Sequence, residues 1–404
     1  MLTTSSDPIA LDQQRVLQVY RRSPVVFESG RGCSLFTRDG QRYLDLISGV
    51  GVAALGHAHP ALARAIADQA STLLHTSNLF HHPLQAELAA RLAELSGLSR
   101  AFFCNSGAEA VETCLKFARR YWHAHGEPGR TGFVALDHSF HGRTMGAVSV
   151  TWDVHYREQF GPLIPGVTFV PAGEAAAVRA AITKSTAAVI VEPIQGEGGV
   201  RPLTPLTADA IADACRATGA LLIADEVQCG LGRTGRAFYS PVLGLQPDLM
   251  ALGKALGGGV PIGAALFSEK VASAAKAGDH GSTYGGNLLA CRAALVFLDE
   301  LIEGGLMQHV AQVGAHLESG LRAIATRQPG VKDLRGAGLM WGIELDRPAA
   351  SVVQAALDRH LLINRTSDTV VRLLPPYVIG EPEIDEALPL LEAAIATALE
   401  APRT

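Results

Sequence analysis

The fold is decided by a stretch in which short apolar runs alternate with a helical pattern: AAVIVEP (187–193), LTADAIADACRATG (206–219), ALLIADE (220–226) and LMALG (249–253). Such short apolar runs, bounded by turn residues, are typical of strands that are buried on both faces. Three similar runs precede them, AFFCN (101–105), GFVALD (132–137) and VTFVPA (167–172). The alternation predicts an α/β fold with a mostly parallel sheet that helices cover on both sides.

The chain of 404 residues is longer than one hydrophobic core usually spans, so we expect a large domain with a smaller one beside it. Residues 1–57 are predicted to be irregular and strand-like, with a hairpin whose turn is Asp39-Gly40. The alternation closes with a predicted helix from Leu288 to Glu303, and from Met307 the pattern is typical of a small α+β domain. These changes divide the chain into residues 1–57, 58–306 and 307–404.

Composition excludes several classes of partner. The net charge is −5 and the sequence contains no dense run of Lys or Arg, which argues against a nucleic-acid or anionic-membrane partner. The six cysteines lack CxxC or metal-finger spacing, so we expect small buried thiols in a reducing compartment. The first residues do not have the pattern of a signal peptide, and no apolar run is long enough to cross a bilayer. We therefore expect a cytoplasmic protein.

One lysine stands in an unusual setting. Lys254 follows the apolar run PDLMALG (247–253) and precedes LGGGVPIG (256–263), with no charged residue nearby, unlike the other five lysines. An apolar pocket disfavours the charged amine, lowers its pKa and makes it nucleophilic, as a Schiff-base lysine requires. The alternative is a lysine at the end of a strand that extends its ammonium group into water.

Two further features indicate which cofactor such a lysine would serve. Asp225 lies at the carboxyl end of a predicted parallel strand, where open α/β sheets bind ligands. A buried carboxylate needs a cationic partner, and the protonated ring nitrogen of pyridoxal phosphate is one. Ser106, Gly107 and Glu109 form a capping-box pattern before a strong helix, and a helix N-terminus is a site for an anion such as phosphate. Together these features predict a pyridoxal-phosphate enzyme.

Seven motifs strengthen this interpretation. They are NSGAEAVE (105–112), FHGRT (140–144), EPIQGEGG (192–199), DEVQCGLGRTG (225–235), LGKALGGGVPIGA (252–264), HGSTYGGN (280–287) and RGAGLMWGIEL (335–345). The series resembles that of class III (subgroup II) aminotransferases, and its motif sequences are most similar to those of the acetylornithine aminotransferase group. The resemblance implies fold type I, a homodimer, a sheet of the seven-stranded type, and a small domain built from both termini, so that residues 1–57 belong with residues 307–404.

The resemblance also implies how the cofactor is held. Lys254 would form the Schiff base and later move a proton, and Asp225 would pair with the ring nitrogen. The remaining implied contacts are Val227 and Phe140 on the two ring faces, Gln228 at the ring hydroxyl, and Ser106, Gly107, Ala108 and Thr283 of the partner subunit at the phosphate. Ala108 departs from the many relatives that carry Thr there, which leaves only a backbone N–H for the phosphate.

Two arginines are implied to bind substrate carboxylates. Arg143, with Ser282 nearby, would contact the α-carboxylate of the ornithine derivative, and Arg372 the α-carboxylate of glutamate or 2-oxoglutarate. Glu197 would pair with Arg372 while the other substrate is bound. Val50 stands where ornithine aminotransferases have a tyrosine that holds the free α-amino group, so its small apolar side chain favours an N-acylated ornithine.

The predicted reaction transfers the δ-amino group of N-acetylornithine to 2-oxoglutarate and yields N-acetylglutamate semialdehyde and glutamate, as in arginine biosynthesis. The alternatives are an aminotransferase for succinylornithine, ornithine or 4-aminobutyrate, a non-transferase pyridoxal-phosphate enzyme such as an aminomutase, and a catalytically silent binding protein. The arginine pair argues against the aminomutase, because that reaction rarely needs two alternating carboxylate substrates.

Two other signals are set aside. Residues 230–235 match GxGxxG, but the following RAFYSPVLGLQP (236–247) contains a proline and lacks a helical pattern, which disfavours a dinucleotide site. Six histidines lack metal-site spacing, so no metal is expected and loop or turn positions are predicted for them. They are His57, His59, His81, His82, His138 and His141.

Overall fold

The computed structural model describes residues 7–400. Its strands, in chain order, are β1 (Phe27–Arg31), β2 (Ser34–Thr37), β3 (Arg42–Asp45), β4 (Arg100–Cys104), β5 (Gly132–Leu136), β6 (Val167–Val170), β7 (Thr186–Val191), β8 (Ile194–Gln195), β9 (Arg201–Pro202), β10 (Leu221–Asp225), β11 (Leu249–Leu252), β12 (Gly263–Phe267), β13 (Val331–Ala337), β14 (Met340–Leu345), β15 (Leu361–Leu362), β16 (Asn364–Arg365) and β17 (Val370–Leu373).

The helices of the described range alternate with these strands through the middle of the chain. They are α1 (Pro8–Arg15), α2 (Ser48–Gly51), α3 (Pro60–Thr72), α4 (Pro83–Ser96), α5 (Gly107–Ala124), α6 (Met145–Ser149), α7 (Ala175–Ala181), α8 (Pro205–Thr218), α9 (Glu269–Ala272), α10 (Leu288–Ile302), α11 (Leu306–Arg327), α12 (Ala350–Leu357) and α13 (Glu381–Glu400). Short 3₁₀ helices lie at Val154–Tyr156, Glu158–Phe160, Ser240–Leu243 and Lys254–Gly257.

A seven-stranded sheet forms the centre of the molecule, in the order β4-β12-β11-β10-β7-β5-β6. Neighbouring strands are parallel from β11 to β6, and β12 is antiparallel to both β11 and β4. Each of the six predicted strand runs overlaps one of these strands, so the mostly parallel seven-stranded sheet is confirmed. The prediction missed β12, because its sequence GAALF consists largely of small residues beside a glycine cluster.

Helices cover both faces of this sheet, as alternating side chains along a buried strand require. Ile190 and Ile223 lie in one apolar cluster with Leu115 of α5. Their chain neighbours Val189 and Leu222 point to the opposite face, into a second cluster with side chains of α8. The apolar composition of each strand therefore serves two cores at once.

The ends of the chain meet in a separate four-stranded sheet, β1-β2-β3-β15. The predicted hairpin is confirmed, because β2 and β3 pair antiparallel across Asp39-Gly40. Leu361 of β15 pairs in parallel with Leu44 of β3, so residues near both termini share one sheet. The domain boundaries at residues 57 and 306 stay a prediction, and residues 1–6 and 401–404 lie outside the described range.

The irregular and strand-like prediction for the first residues is wrong at α1. Asp7 caps this helix, since its side chain accepts a hydrogen bond from Ile9 N at 3.0 Å, and Pro8 occupies its first turn. The helix buries none of its residues, so its sequence carries no apolar face from which it could be predicted.

Three smaller expectations also meet the structure. All six cysteines are free and buried, which confirms the thiol prediction. The chain after the GxGxxG run forms only the short 3₁₀ helix Ser240–Leu243, which confirms that the run does not open a packed helix. None of the helices between residues 7 and 400 combines the length and the apolar character that crossing a membrane requires.

Candidate active site

The register of two parallel strands brings the predicted lysine and aspartate together. Asp225 is the last residue of β10 and lies beside Ala251 of β11. Lys254 follows β11 after Gly253 and begins a 3₁₀ helix with φ +43°. A positive φ is uncommon for a residue with a side chain, and strained backbone of this kind concentrates at functional sites. The strand order therefore places both side chains at the carboxyl edge of the sheet.

The amine of Lys254 lies in a poorly solvated, charged environment. Burial lowers its pKa from the ordinary value of lysine, while the nearby carboxylates of Glu197 and Asp225 oppose that shift. The net direction is downward, so the neutral amine is favoured relative to a surface lysine. This is the condition for a nucleophile and a general base.

Asp225 is only 5 % exposed and has a partner that sequence reasoning missed. Its Oδ2 lies 2.7 Å from Nδ1 of His141, and its Oδ1 accepts a hydrogen bond from Val227 N at 3.1 Å. The His141 Nε2 atom is buried without a hydrogen-bond partner among residues 7–400. His141 does occupy a loop, as predicted, but it is a fully buried contact of the key carboxylate.

Glu192 is a second residue that the prediction did not single out. Its carboxylate accepts hydrogen bonds from Phe140 N at 2.8 Å and from Gly196 N at 2.9 Å. Burial raises the pKa of this carboxyl group, and the negative charge of Asp225 adds to the rise while His141 opposes it. Glu192 thus fixes the loop of Phe140 and the loop that leads to Glu197 to each other.

The first turn of α5 forms a tight cradle. Ser106 Oγ accepts from Glu109 N at 3.2 Å, and Glu109 Oε2 accepts from Asn105 N at 2.8 Å, so a capping box shifted by one residue holds the helix start. A Cβ atom on Gly107 would lie 2.6 Å from Val227 Cγ1. A Cβ on Gly253 would lie 3.0 Å from Gly107 Cα, so the cradle directly adjoins the residue before the lysine.

The other predicted phosphate contacts, Ala108 and Thr283, and the predicted substrate contact Ser282 lie around this cradle or at the surface. Ala108 faces the FHGRT loop, since a Cβ on Gly142 would lie 2.9 Å from Ala108 Cβ. Ser282 Oγ accepts from Asn105 Nδ2 at 3.4 Å and from Gly285 N at 3.0 Å, which ties its loop to the helix start. Thr283 is exposed in the single chain.

Arg372 is a buried arginine with a carboxylate placed against it. It lies on β17, is 1 % exposed, and donates from Nη1 to Glu197 Oε1 at 2.5 Å and to Gln228 Oε1 at 3.2 Å. Burial alone would raise the pKa of Glu197, but the charge of Arg372 and its hydrogen bond outweigh burial and lower it. The structure thus brings Glu197 against Arg372, the pair that the resemblance implies, and adds Gln228, which was expected at the ring hydroxyl.

The remaining predicted residues occupy different settings. Phe140 and Glu197 line a cavity of about 610 Å³, together with Tyr156, Trp152 and other residues of two loops. Arg143 is exposed in the single chain. Val50 has φ +64°, an outlier for a β-branched residue, and packs against the buried cluster around Ile194, Cys229 and Leu374.

The GxGxxG run has a structural explanation. Glu226, fully buried, accepts from Tyr239 N at 2.9 Å and from Ser240 N at 2.7 Å, which closes the loop that contains the run. Arg233 within the loop is 1 % exposed and donates to the carbonyl oxygens of Leu339 and Pro375. The loop therefore joins the central sheet to the C-terminal strands. Between residues 7 and 400, no group of three or more His, Cys, Asp or Glu side chains could hold a metal.

Comparison with known proteins agrees with this geometry. The model of the family "Aminotransferase class-III" matches residues 17–395. An acetylornithine aminotransferase of Methanocaldococcus jannaschii is 44% identical over 386 residues, which are 95% of this chain and 96% of that protein.

Solved structures of related enzymes have the same fold. The ornithine aminotransferase of Toxoplasma gondii superposes with a TM-score of 0.93 at 34% identity and covers 97% of this chain and 95% of its own. An amine transaminase from an uncultivated Pseudomonas species, solved with pyridoxal phosphate bound, superposes at 0.87 with 31% identity and covers 98% of both chains. The matched family model and the extent of these similarities lead to one conclusion: the chain belongs to the class-III aminotransferases.

Proposed function

We propose that this pyridoxal-phosphate-dependent aminotransferase transfers the δ-amino group of N-acetylornithine to 2-oxoglutarate and forms N-acetylglutamate semialdehyde and glutamate, as in arginine biosynthesis. The observation that carries the proposal is the buried Arg372–Glu197 pair, with its 2.5 Å contact, beside Lys254. The two substrates differ at the reacting carbon, because only one of them carries a carboxylate next to it. An arginine that an internal carboxylate can cover suits such an enzyme. The acetylornithine aminotransferase relative supports the choice of substrate.

The residues present fit the phosphate and ring of the cofactor. Gly107 lets the start of α5 lie close against Val227, where a Cβ would clash, and the free backbone N–H groups there attract a phosphate. Ser106 and Ala108 flank this glycine and would hold the phosphate with it. Asp225 is a buried carboxylate whose neighbour His141 leaves it able to accept from a protonated ring nitrogen.

Three other side chains complete the proposed cofactor site. Val227 packs against the Gly107 cradle on one side, and Glu192 holds the Phe140 loop, so that an apolar and an aromatic side chain would cover the two ring faces. Gln228, which contacts Arg372, would reach the ring hydroxyl. When bound, pyridoxal phosphate supplies an electron sink for the carbon that carries the amine.

Lys254 is the proposed proton carrier. Because burial lowers its pKa, its Nζ atom is more often neutral near neutral pH than that of an exposed lysine. A neutral Nζ could accept a proton from the substrate carbon that carries the amine and would return it to a carbon of the cofactor. The negative charges of Glu197 and Asp225 stabilise the protonated amine and so limit the fall of its pKa.

Arg372 and Glu197 are proposed to alternate between two arrangements. N-acetylornithine presents a terminal amine without a neighbouring carboxylate, and Glu197 then stays on Arg372, because an unpaired buried guanidinium is costly. Glutamate and 2-oxoglutarate present an α-carboxylate that replaces Glu197 with bidentate geometry. The α-carboxylate of N-acetylornithine would bind Arg143 and Ser282 at the opposite end, with Val50 favouring the acylated amine.

We also propose a homodimer in which Thr283 of the partner subunit completes the phosphate site. Exposed apolar side chains support this interface: Leu79 is 85 % exposed, Phe80 68 % and Tyr284 63 %. Asn78 Nδ2 donates to the carbonyl oxygens of Ser282 and Gly285, so these side chains form one contiguous surface around Thr283. An apolar surface of this kind is typical of an interface.

The proposed location is the cytoplasm. All six cysteines are buried free thiols, which is the state expected in a reducing compartment.

The test is to assay purified holoenzyme for glutamate formation from 2-oxoglutarate and one amine donor at a time. The donors are N-acetylornithine, N-succinylornithine, ornithine and 4-aminobutyrate. We expect kcat/KM to be at least about tenfold higher for N-acetylornithine than for ornithine, since the site offers Val50 rather than a polar partner for a free α-amino group. A preference for ornithine would contradict the proposal, and failure to bind pyridoxal phosphate would contradict the cofactor assignment.

A further inference from the structure

The guanidinium of Arg143 is held by aromatic rings. Its central carbon lies 3.7 Å from the centroid of the Tyr156 ring and 5.5 Å from that of Phe140. The two rings are themselves in edge-to-face contact, with centroids 5.9 Å apart and an interplanar angle of 82°. Within residues 7–400, Arg143 forms no ion pair with a carboxylate. The guanidinium therefore stacks by its face and keeps its N–H edge free.

This arrangement differs in kind from a salt bridge. An internal carboxylate would occupy the N–H fork of Arg143 and compete with a substrate carboxylate. An aromatic ring occupies only the planar face of a guanidinium, and it restricts the rotamers of a long exposed side chain before the substrate arrives. Arg143 is then already ordered in the free enzyme, so binding of a carboxylate costs less conformational entropy.

The loop that carries Tyr156 is itself anchored. Asp153 Oδ1 accepts from His155 N at 2.9 Å, and Tyr156 N donates to Asp153 O at 3.1 Å. Arg157 donates from Nη2 to Trp152 O at 2.9 Å. Its guanidinium also stacks over the ring of Phe169 on β6, with 4.6 Å to the centroid. Tyr156 therefore meets Arg143 from a fixed position, and it lines the same cavity as Glu197.

We propose that Tyr156 is a positioning residue that holds Arg143 ready for the substrate carboxylate that lies farthest from the reacting carbon, which in the terminal-amine donor is the α-carboxylate. The inference rests on the proposed function. Glutamate and 2-oxoglutarate place their α-carboxylate on Arg372, which is buried on β17, and their second carboxylate extends from the reacting carbon towards Arg143. Loss of Tyr156 is therefore expected to weaken substrates that carry this distal carboxylate and to spare an amine that lacks it.

The experiment measures the two half-reactions separately, by single-turnover absorbance of the holoenzyme, in Tyr156→Leu and Tyr156→Phe. For Tyr156→Leu we expect kcat/KM with N-acetylornithine to fall roughly five- to thirtyfold, mainly through KM, since a cation–π contact of this strength is lost. Tyr156→Phe keeps the ring and restores the value to within about threefold of the wild type. The 2-oxoglutarate half-reaction of the aminated enzyme should weaken in Tyr156→Leu and recover in Tyr156→Phe, because 2-oxoglutarate also carries a distal carboxylate.

Two controls exclude a merely structural effect. N-(4-aminobutyl)acetamide is N-acetylornithine without its α-carboxylate, and its kcat/KM should be the same in Tyr156→Leu and the wild type. Phe160→Leu removes another aromatic ring of the same loop, 56 % exposed, and should leave both half-reactions unchanged.

The outcomes separate this inference from the proposed function. An unchanged KM for N-acetylornithine in Tyr156→Leu, or an equal loss with the carboxylate-free amine, overturns the role of Tyr156. A wild-type enzyme that takes no amine from N-acetylornithine contradicts the proposed function instead. The same variants are then compared on ornithine and N-succinylornithine, which also carry the α-carboxylate, and the same loss is expected on whichever donor is accepted.

Discussion

The inner and outer ends of the candidate site differ in how completely one chain builds them. At the inner end, Asp225 is 5 % exposed and Arg372 1 %, and each has a partner in the same chain, His141 or Glu197. At the outer end, Arg143 and Thr283 are exposed, and the surface around Thr283 carries bare apolar side chains.

The inner end holds the reacting groups and one buried carboxylate site, whereas the outer end holds recognition groups that are open to solvent. The placement of Lys254 and Asp225 follows from the strand order, because parallel strands deliver their carboxyl ends to one edge, while Arg372 comes from β17 of another sheet. The outer end lies on loops, where exposed guanidinium and hydroxyl groups stay available for a substrate or a second subunit. One chain therefore supplies the reacting groups of the site, and the outer end is exposed to a substrate or a second subunit.

The largest effect should come from removing the amine at the inner end. Lys254→Ala is expected to lower the rate of amine transfer by more than about a thousandfold, because both the covalent attachment and the proton carrier are lost. Lys276→Ala, at an exposed lysine, is the matched control and should be fully active. Glutamate formation by the two purified variants decides the matter, and an active Lys254→Ala enzyme would remove the basis of the assignment.

The next effect concerns the carboxylate that covers Arg372. In Glu197→Gln the guanidinium keeps a hydrogen-bond partner but loses its counter-charge, so the bound terminal amine faces an unpaired buried cation. We expect kcat/KM for N-acetylornithine to fall roughly ten- to a hundredfold and that for 2-oxoglutarate to stay within about threefold. Separate half-reaction rates test this, and a variant that loses both activities equally would contradict the gating role.

A smaller effect is expected when the outer end cannot form the proposed dimer interface. Leu79→Asp places a charge on the apolar surface next to the Thr283 loop and should convert a dimer to monomers. The affinity for pyridoxal phosphate should then fall about tenfold, because a hydrogen bond to the phosphate is lost. Leu206→Asp, at another exposed leucine (74 % exposed) on α8, is the control. Light scattering and cofactor titration measure both quantities, and a wild-type monomer with full cofactor affinity would refute the shared site.

The smallest effect is a dependence of stability on pH at the inner end. The pKa of Glu197 is lowered in the folded chain, so its pairing with Arg372 stabilises the fold above the ordinary pKa of a glutamate. That contribution is lost as the pH falls through the lowered pKa. The free energy of unfolding, measured with urea, should therefore fall more between pH 7 and low pH in the wild type than in Glu197→Gln. Parallel curves for the two proteins would show that the pair contributes nothing.

Much of the inner end could be predicted from sequence because its signals are local. Apolar runs marked six strands of the central sheet, and an isolated lysine after one run and an aspartate at the end of another marked its edge. The pairing of His141 with Asp225 joins residues 84 positions apart, and no local pattern encodes it. The stacking of Arg143 on Tyr156 depends likewise on how a loop folds back. Strand β12 and helix α1 escaped because small residues and an unburied helix leave no periodic apolar signal.

The most direct test of alternating carboxylate recognition is Arg372→Leu, with Glu197→Gln/Arg372→Leu as the control that removes the unpaired carboxylate. In the double variant, the half-reaction with 2-oxoglutarate should fall by at least about a hundredfold in kcat/KM, since its bidentate partner is gone. The half-reaction with N-acetylornithine should stay within about fivefold of the wild type, because Arg143 binds that carboxylate. Equal losses in the two half-reactions, or a loss confined to N-acetylornithine, would contradict the account.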